Sequence, residues 1–571
     1  MPYKKNRKRK IWIRSLLILA GVILCFVVYF AIVAIDHPPE INDYTSLQIV
    51  RKRFGDNTYL YGNNWLRKSE SGLWEAYIEG KPFERGVAFG QLTRELLYFQ
   101  ETSFVEQIRE IIPSDNYLKV LKYFIAFFNR NLDKSIPDEY KDEIYGTSFA
   151  CSSEYDFIGS GYQRQLNYHA AHDIGHALQG LNLVACTSFS VWDDQSGDSS
   201  LLVGRNFDFY MGEKFAENKI VCFVNPTEGY KFVMITWADM IGVVSGMNEK
   251  GLTVTINAAK STIPGQAATP VTILAREIIQ YASTIQEAYE IAKKRRLFVS
   301  ESIMIGSVID DKTAIIEKSP DKYDLVYPET SRIICSNHFQ GQQFATDKIN
   351  LENIRGSDSY KRYKRVEELV NRNGAFDVSG VVTVLRDQRA LGDSDVGMGN
   401  QLAINQLIAH HAVVFKPGSL QVWVSTAPWQ LGKFVAYDFR KIFNLDLNYI
   451  RTQQEIYSGS LTIPADTFLN TPQYRSLQQY QLMTAQLRQF MKKHESLPVN
   501  FVTSYIASNP ALYLTYVHLG DYYHEMKAFD QAYSYYSTAL NHKLPGLDEE
   551  TKLKEISSSL KKKTDHGNSR N

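Results

Sequence analysis

Cys186 stands near the start of the run Val184-Ala-Cys-Thr-Ser-Phe-Ser-Val-Trp192. A second run, Leu201-Leu-Val-Gly-Arg-Asn-Phe-Asp-Phe-Tyr210, brings Arg205 and Asp208 into the chain after a short polar interval. A thiol, a guanidinium and a carboxylate in one place suit nucleophilic acyl transfer. The thiolate attacks a carbonyl, the arginine favours the thiolate, and a neighbouring amine or carboxylate handles the proton. The competing reading of Cys186 is a small buried hydrophobe, the usual state of a lone cysteine.

Such a site needs elements that hold it. Asp193 to Ser200 is rich in Asp, Ser and Gly between two β-prone runs, which predicts a hairpin with Cys186 at the head of its first strand. Residues three apart in a strand point to opposite faces, so Arg205 and Asp208 share a site only if the strand ends or bulges near Asn206. Further strands are predicted over Lys219 to Asn225, Tyr230 to Ala238, Gly242 to Met247 and Leu252 to Asn257, with a turn at Asn248 to Gly251. Helices follow at Val271 to Tyr281 and Ile285 to Arg295, then strands at Ser302 to Val308 and Thr313 to Glu317. Arg332 to Phe339 offers polar groups at a strand end, and Asp358 opens a helix. Strands resume at Ala412 to Phe415, Leu420 to Ser425 and Phe434 to Tyr437. This order suits two antiparallel sheets between helical layers.

Ala-Cys-Thr-Ser followed by Gly-Arg-Asn-Phe-Asp resembles the N-terminal-nucleophile (Ntn) hydrolases of the penicillin acyltransferase-like family, relatives of bile salt hydrolases and acid ceramidase. The resemblance implies an α+β fold, the four-layer αββα sandwich. It also implies a precursor that cuts itself before Cys186 and uses the freed α-amine as a base. It assigns Arg205 to the thiolate, Asp208 to the amine and Asn337, in Asn-His-Phe, to the oxyanion. Gly246-Met-Asn-Glu-Lys-Gly-Leu252 resembles a hairpin of the bile salt hydrolases and gives Asn257 a place lining the site. A strand-end Asn capping a turn is the other reading. Ser359-x-x-Arg-x-x-Arg365 resembles the helix that presents a site arginine, which makes Arg362 a candidate. Against it, Lys361, Lys364 and Arg365 read as a solvated basic face. Lys81-Pro-Phe-Glu-Arg-Gly-Val-Ala-Phe-Gly90 resembles the start of the family's pro-region. No cofactor is implied.

At 571 residues, 44% hydrophobic and 13% aromatic, the chain has the composition of a well-packed globular protein of two or three domains. A net charge of +1 gives no electrostatic footprint for nucleic acid. The basic residues Lys4, Lys5, Arg7, Lys8, Arg9, Lys10 and Arg14 precede the apolar run Leu16 to Ile35, which no small-residue cleavage site closes. That pattern predicts a transmembrane signal anchor and a single-pass membrane protein whose catalytic domain is extracytoplasmic, periplasmic or cell-surface. Asp36 to Asn64, punctuated by Pro, Asn and Asp, reads as the tether. Five cysteines, one in the span and one the nucleophile, allow at most one ordinary disulfide. His172 and His176 share a helical face, but no Glu follows His172 as a zinc protease needs, so no metal is assigned.

The expected organisation is a basic stub and anchor over 1–36, a linker and pro-region over 37–185, the catalytic core over 186–445, and a helical tail over 467–563. In the tail, Tyr516, Leu519, Gly520, Tyr523, Ala532, Tyr536 and Ala539 fall on the tetratricopeptide pattern. One repeat cannot bury its own face and must pack on flanking helices or a protein partner. The activity expected is that of a membrane-anchored, self-processing cysteine amidohydrolase or acyltransferase. Its partners would be a small-molecule N-acyl amide and an acyl acceptor. A catalytically inactive scaffold whose tail binds another protein is the alternative. Preferential labelling of Cys186 over Cys151, Cys222 and Cys335 by a thiol probe separates the two.

Overall fold

The computed structural model describes residues 3–33, 37–111, 129, 132–170, 185–209, 212–260 and 268–568. His172 and His176 lie outside them.

The described residues form two sheets. The first has eleven strands, ordered in space as Lys52–Phe54, Thr58–Tyr61, Asn64–Lys68, Trp74–Gly80, Ile220–Pro226, Phe232–Thr236, Ser245–Asn248, Leu252–Ala258, Glu301–Ser307, Lys312–Lys318 and Tyr323–Val326. Neighbours are antiparallel except Trp74–Gly80 and Ile220–Pro226, which run parallel over seven residue pairs. The second sheet has seven strands, ordered Arg332–Cys335, Thr187–Asp193, Ser199–Phe207, His411–Lys416, Gln421–Ser425, Phe434–Asp438 and Ser458–Ile463.

Strand alternation sorts the apolar side chains into three packed interfaces. In His411–Lys416, Val413 and Phe415 turn inward to meet Phe223, Ile235 and Met304 of the facing sheet. Ala412 and Val414 turn outward, against Val366, Val382 and Leu385 of the helices Ser359–Arg372 and Val378–Leu385. On the far side, Leu92, Ile144 and Ile278, from the helices Pro82–Ile111, Asp138–Ser148 and Val271–Tyr281, pack on Cys222, Val254 and Ile256. Helix, sheet, sheet and helix layers follow one another, which is an αββα arrangement of an α+β fold.

The expected tether is corrected in part. Thr58-Tyr-Leu-Tyr61 is a strand between the turn residues Gly55 and Gly62, both at positive φ. The punctuation that read as a linker is therefore hairpin geometry, and the segment extends the large sheet. Arg67, paired with Thr58 on the next strand, forms a buried ion pair to Glu75 at 3.1 Å and a part-buried one to Glu455 at 2.6 Å.

The anchor is corrected too. Among the described residues, no helix is long and apolar enough to cross a membrane. The basic residues are not a stub ahead of an apolar span: they belong to one helix with it, Tyr3–Val33. The single-pass, extracytoplasmic assignment loses its basis. All five cysteines are free, so the disulfide the count allowed is not formed.

In the tail, Tyr513–Glu525 and Phe529–Ala539 pack closely because Gly520 has no side chain: a Cβ there would lie 2.8 Å from the Tyr536 ring. The flanking helices Pro472–Lys493 and Leu547–Asn568 complete its core, with Leu487 and Leu553 among its buried residues. The tail also rests on the sandwich. Asn509 Nδ2 donates to the Met398 carbonyl at 2.9 Å, Lys361 Nζ donates to the Leu544 carbonyl at 3.1 Å, and Leu477 packs on Leu407 and Leu431.

Candidate active site

Thr187–Asp193 begins one residue after Cys186, and Ser199–Phe207 ends one residue before Asp208. That strand end resolves the spacing problem. Arg205 points between the sheets, Asn206 points out and donates to the Leu385 and Ile404 carbonyls at 2.9 and 3.0 Å, and Asp208 is already beyond the ladder. Ser188 pairs directly across from Arg205. Residues two apart share a face, so Cys186 lies on the Arg205 side.

Arg205 is fully buried and held by several acceptors. Its guanidinium donates to the Val244 carbonyl at 2.8 Å, to Ser245 Oγ at 2.6 Å, to the Ile256 carbonyl, and to Cys186 Sγ at 3.5 Å. The Phe207 ring lies 4.5 Å beneath it. Burial pushes the Cys186 thiol up to about 11, with Arg205 pulling the other way and Asp208 and Glu301 adding to the rise. The thiol is therefore not a standing thiolate at neutral pH, and its reaction requires a base beside it.

Asp208 is fully buried, and neither carboxylate oxygen has a hydrogen-bond partner among the described residues. Burial raises it to about 8, against the charges of Arg362 and Arg205. Its backbone carbonyl accepts from the Ala185 N–H at 2.9 Å, which fixes the residue before the thiol. A buried carboxylate without donors is costly unless a cation or proton meets it.

Arg362 is 1% exposed, which removes the solvated-face reading. Asp358, one turn earlier, accepts from its Nε at 2.7 Å. The two other nitrogens reach the Cys186 carbonyl at 2.8 Å, Thr187 Oγ1 at 2.7 Å and Asn337 Oδ1 at 2.7 Å. Asn337 is thereby oriented: its Nδ2 donates to the Ala258 carbonyl at 2.8 Å and carries a second N–H. Asn257 is bound more completely. Its Oδ1 accepts from Ser188 Oγ at 2.7 Å, and its Nδ2 donates to the Cys335 and Ser336 carbonyls at 3.0 and 3.5 Å. It ties three strands together rather than capping a turn.

The structure thus gathers Cys186, Arg205, Asp208, Asn257, Asn337 and Arg362 around the end of one hairpin. His338 turns to Ser359 Oγ at 2.8 Å, and burial with the Arg362 charge lowers it to about 4. Sequence reasoning missed Ser188, Ser245 and His411. Ser188 had a signal, since strand alternation puts it on the face of Cys186. The others meet the site only through tertiary packing. Among the described residues, no group of His, Cys, Asp and Glu is placed to hold a metal.

Residues 193–394 match the family model described as Acyl-coenzyme A:6-aminopenicillanic acid acyl-transferase. The match contains Arg205, Asp208, Asn257, Asn337 and Arg362 and starts seven residues after Cys186. A curated relative from Archaeoglobus fulgidus, an uncharacterized protein, is 26% identical over 344 residues, 54% of this chain and 56% of its own length. The chain therefore spans about half the length of the curated relative it matches. Two solved structures share parts of the chain. A Caenorhabditis elegans N-acylethanolamine-hydrolyzing acid amidase ortholog is 19% identical at a TM-score of 0.29, over 41% of this chain and 93% of its own. A mutant conjugated bile acid hydrolase from Clostridium perfringens is 15% identical at a TM-score of 0.31, over 45% and 93%. Residues 193–394 are thus similar to an acyl-transferase domain.

Proposed function

From a chain whose residues 193–394 are similar to an acyl-coenzyme A:6-aminopenicillanic acid acyl-transferase domain, we propose a self-processing cysteine amidohydrolase or acyltransferase with its catalytic core over 186–445. The observation that carries this reading is the buried Asp208 carboxylate, without donors, beside a thiol that lies 3.5 Å from Arg205. In the uncut chain the nitrogen of Cys186 is a peptide nitrogen. Its lone pair is delocalised, so it is no base. Cleavage between Ala185 and Cys186 turns it into an amine, and the ammonium form is the cation Asp208 lacks.

The chemistry follows from these positions. The free amine takes the Sγ proton, and the thiolate attacks the carbonyl of an N-acyl amide. Negative charge develops on the carbonyl oxygen, where the second N–H of Asn337, aimed by Arg362, stabilises it. The tetrahedral species collapses as the ammonium returns its proton to the departing amine. A thioester on Cys186 remains, and water or an acceptor amine then opens it. Asn257 holds the geometry, and Arg205 supports the sulfur charge.

N-terminal sequencing of the purified full chain tests the proposal. The expected result is a Cys186 terminus with pieces of 185 and 571 − 185 = 386 residues. Cys186→Ala should give one uncut band and no turnover on a panel of N-acyl amides. An active chain whose Ala185–Cys186 bond is intact would sink the amine as base.

A further inference from the structure

Three buried side chains outside the proposed chemistry form a line that ends on Arg205. The guanidinium donates to Ser245 Oγ at 2.6 Å, Ser245 Oγ lies 2.9 Å from His411 Nε2, and His411 Nδ1 lies 2.9 Å from His410 Nδ1. Ser245, His410 and His411 are all fully buried. The sheets bring them together. His411 pairs with Phe207, two residues from Arg205 on the same inward face, while Ser245 opens a strand of the facing sheet.

The direction of each bond follows from donor count. An arginine only donates, so Ser245 Oγ gives a lone pair to Arg205. The serine proton then needs an acceptor, and His411 Nε2 is the one in reach. The His411 proton is therefore on Nδ1, donating to His410 Nδ1, and the His410 proton is on Nε2. That Nε2 has no polar partner among the described residues; the Phe215 and Trp237 rings lie by the imidazole at centroid distances of 5.2 and 5.1 Å, the first tilted and the second edge-to-face. The reverse polarity strands both the serine proton and a histidine lone pair, whereas this one strands a single N–H facing aromatic rings. Both rings stay neutral, because burial and the charges of Arg205 and Lys219 oppose protonation.

We propose that His411, acting through Ser245, is a positioning residue for Arg205: it keeps a serine lone pair turned to the guanidinium and so aims the opposite nitrogen at Cys186 Sγ. The inference rests on the reading of Cys186 as the nucleophile. A structural filler could be replaced by any residue of similar volume. A positioning acceptor could not, since removing it lets the hydroxyl rotate its proton toward a guanidinium that has only donors.

The pH dependence of iodoacetamide alkylation at Cys186, located by peptide mapping of the full-length protein, tests this. Burial sets it first, with Arg205 opposing and Asp208 and Glu301 adding to the rise, and in the cut chain the α-amine of Cys186 acts beside them. Ser245→Ala and His411→Leu should each raise the midpoint by about one unit and slow alkylation at neutral pH about tenfold. His411→Gln, whose Oε1 can accept from Ser245, should restore most of the rate. Folded Ser245→Ala protein with the wild-type midpoint overturns the inference, and that variant decides alone if His411→Leu does not fold. Arg205→Met separates the two levels of argument. If it leaves the midpoint in place, the reading of Arg205 and Cys186 fails. If it shifts the midpoint while Ser245→Ala does not, only the relay fails.

Discussion

Removing the Arg362 guanidinium would take a donor from four acceptors: the Asp358 carboxylate, the Cys186 carbonyl, the Thr187 hydroxyl and the Asn337 amide oxygen. Arg362→Ala should slow self-cleavage, read as band intensity against time, by about a hundredfold or more. Arg362→Lys should not restore it, because an ammonium cannot replace a planar fork. Asp208 supports a pH prediction. In the uncut chain its carboxyl is raised from 3.8 to about 8, so between those values the folded state holds a proton the unfolded state releases. Stability from this group is therefore greatest at the acid end and falls as pH rises toward 8. Uncut Cys186→Ala protein should melt lower at pH 8 than the Cys186→Ala, Asp208→Asn double variant, with the gap closing toward pH 4. Equal melting curves across that range would mean that the Asp208 carboxyl is not strained. Much of this site was legible because its residues fall in short motifs. Arg362 was ambiguous because helical periodicity alone does not say which face of a basic helix is inward. Ser245 and His411 were illegible: they lie 166 positions apart and meet only where two sheets face.

At the level of elements, the predicted helices Val271 to Tyr281 and Ile285 to Arg295 agree with the observed Val271–Tyr281 and Ile285–Lys294. Their apolar faces are strongly periodic, and Thr284 caps the second by accepting from the Glu287 N–H. The strands Lys52–Phe54 and Thr58–Tyr61 were lost to the sequence reading because strands of three or four residues between turns show too little alternation to stand out from a linker, whereas Gly72 to Gly80 alternates and is the observed strand Trp74–Gly80. The tail supports a further prediction. Its hydrogen bonds reach Lys361 and Met398, and among the described residues none reaches the six gathered site residues. Cutting the chain at Thr467 should lower the melting temperature by several degrees, since Leu407 and Leu431 lose their cover. Self-cleavage per folded molecule should survive. A folded truncation that no longer cuts would show that the tail braces the Arg362 helix.

For the whole molecule, the order of strands and helices made the layered sandwich readable, since alternating blocks of each leave few ways to bury two sheets. Composition could not show how the N-terminal region joins it. The parallel pairing of Trp74–Gly80 with Ile220–Pro226 joins residues on opposite sides of the proposed cut, and the buried pair of Arg276 to Glu143 joins them again. A sheet interrupted in covalent sequence but continuous in hydrogen bonds becomes a two-chain assembly. Its folding then changes molecularity: after denaturation, uncut Cys186→Ala protein should recover its structure at a rate independent of protein concentration. The cut wild type should recover at a rate that rises with concentration, and below some dilution it should not recover at all. On this account the bond before Cys186 is needed once, during first folding, and at high dilution every later unfolding of the cut chain is irreversible.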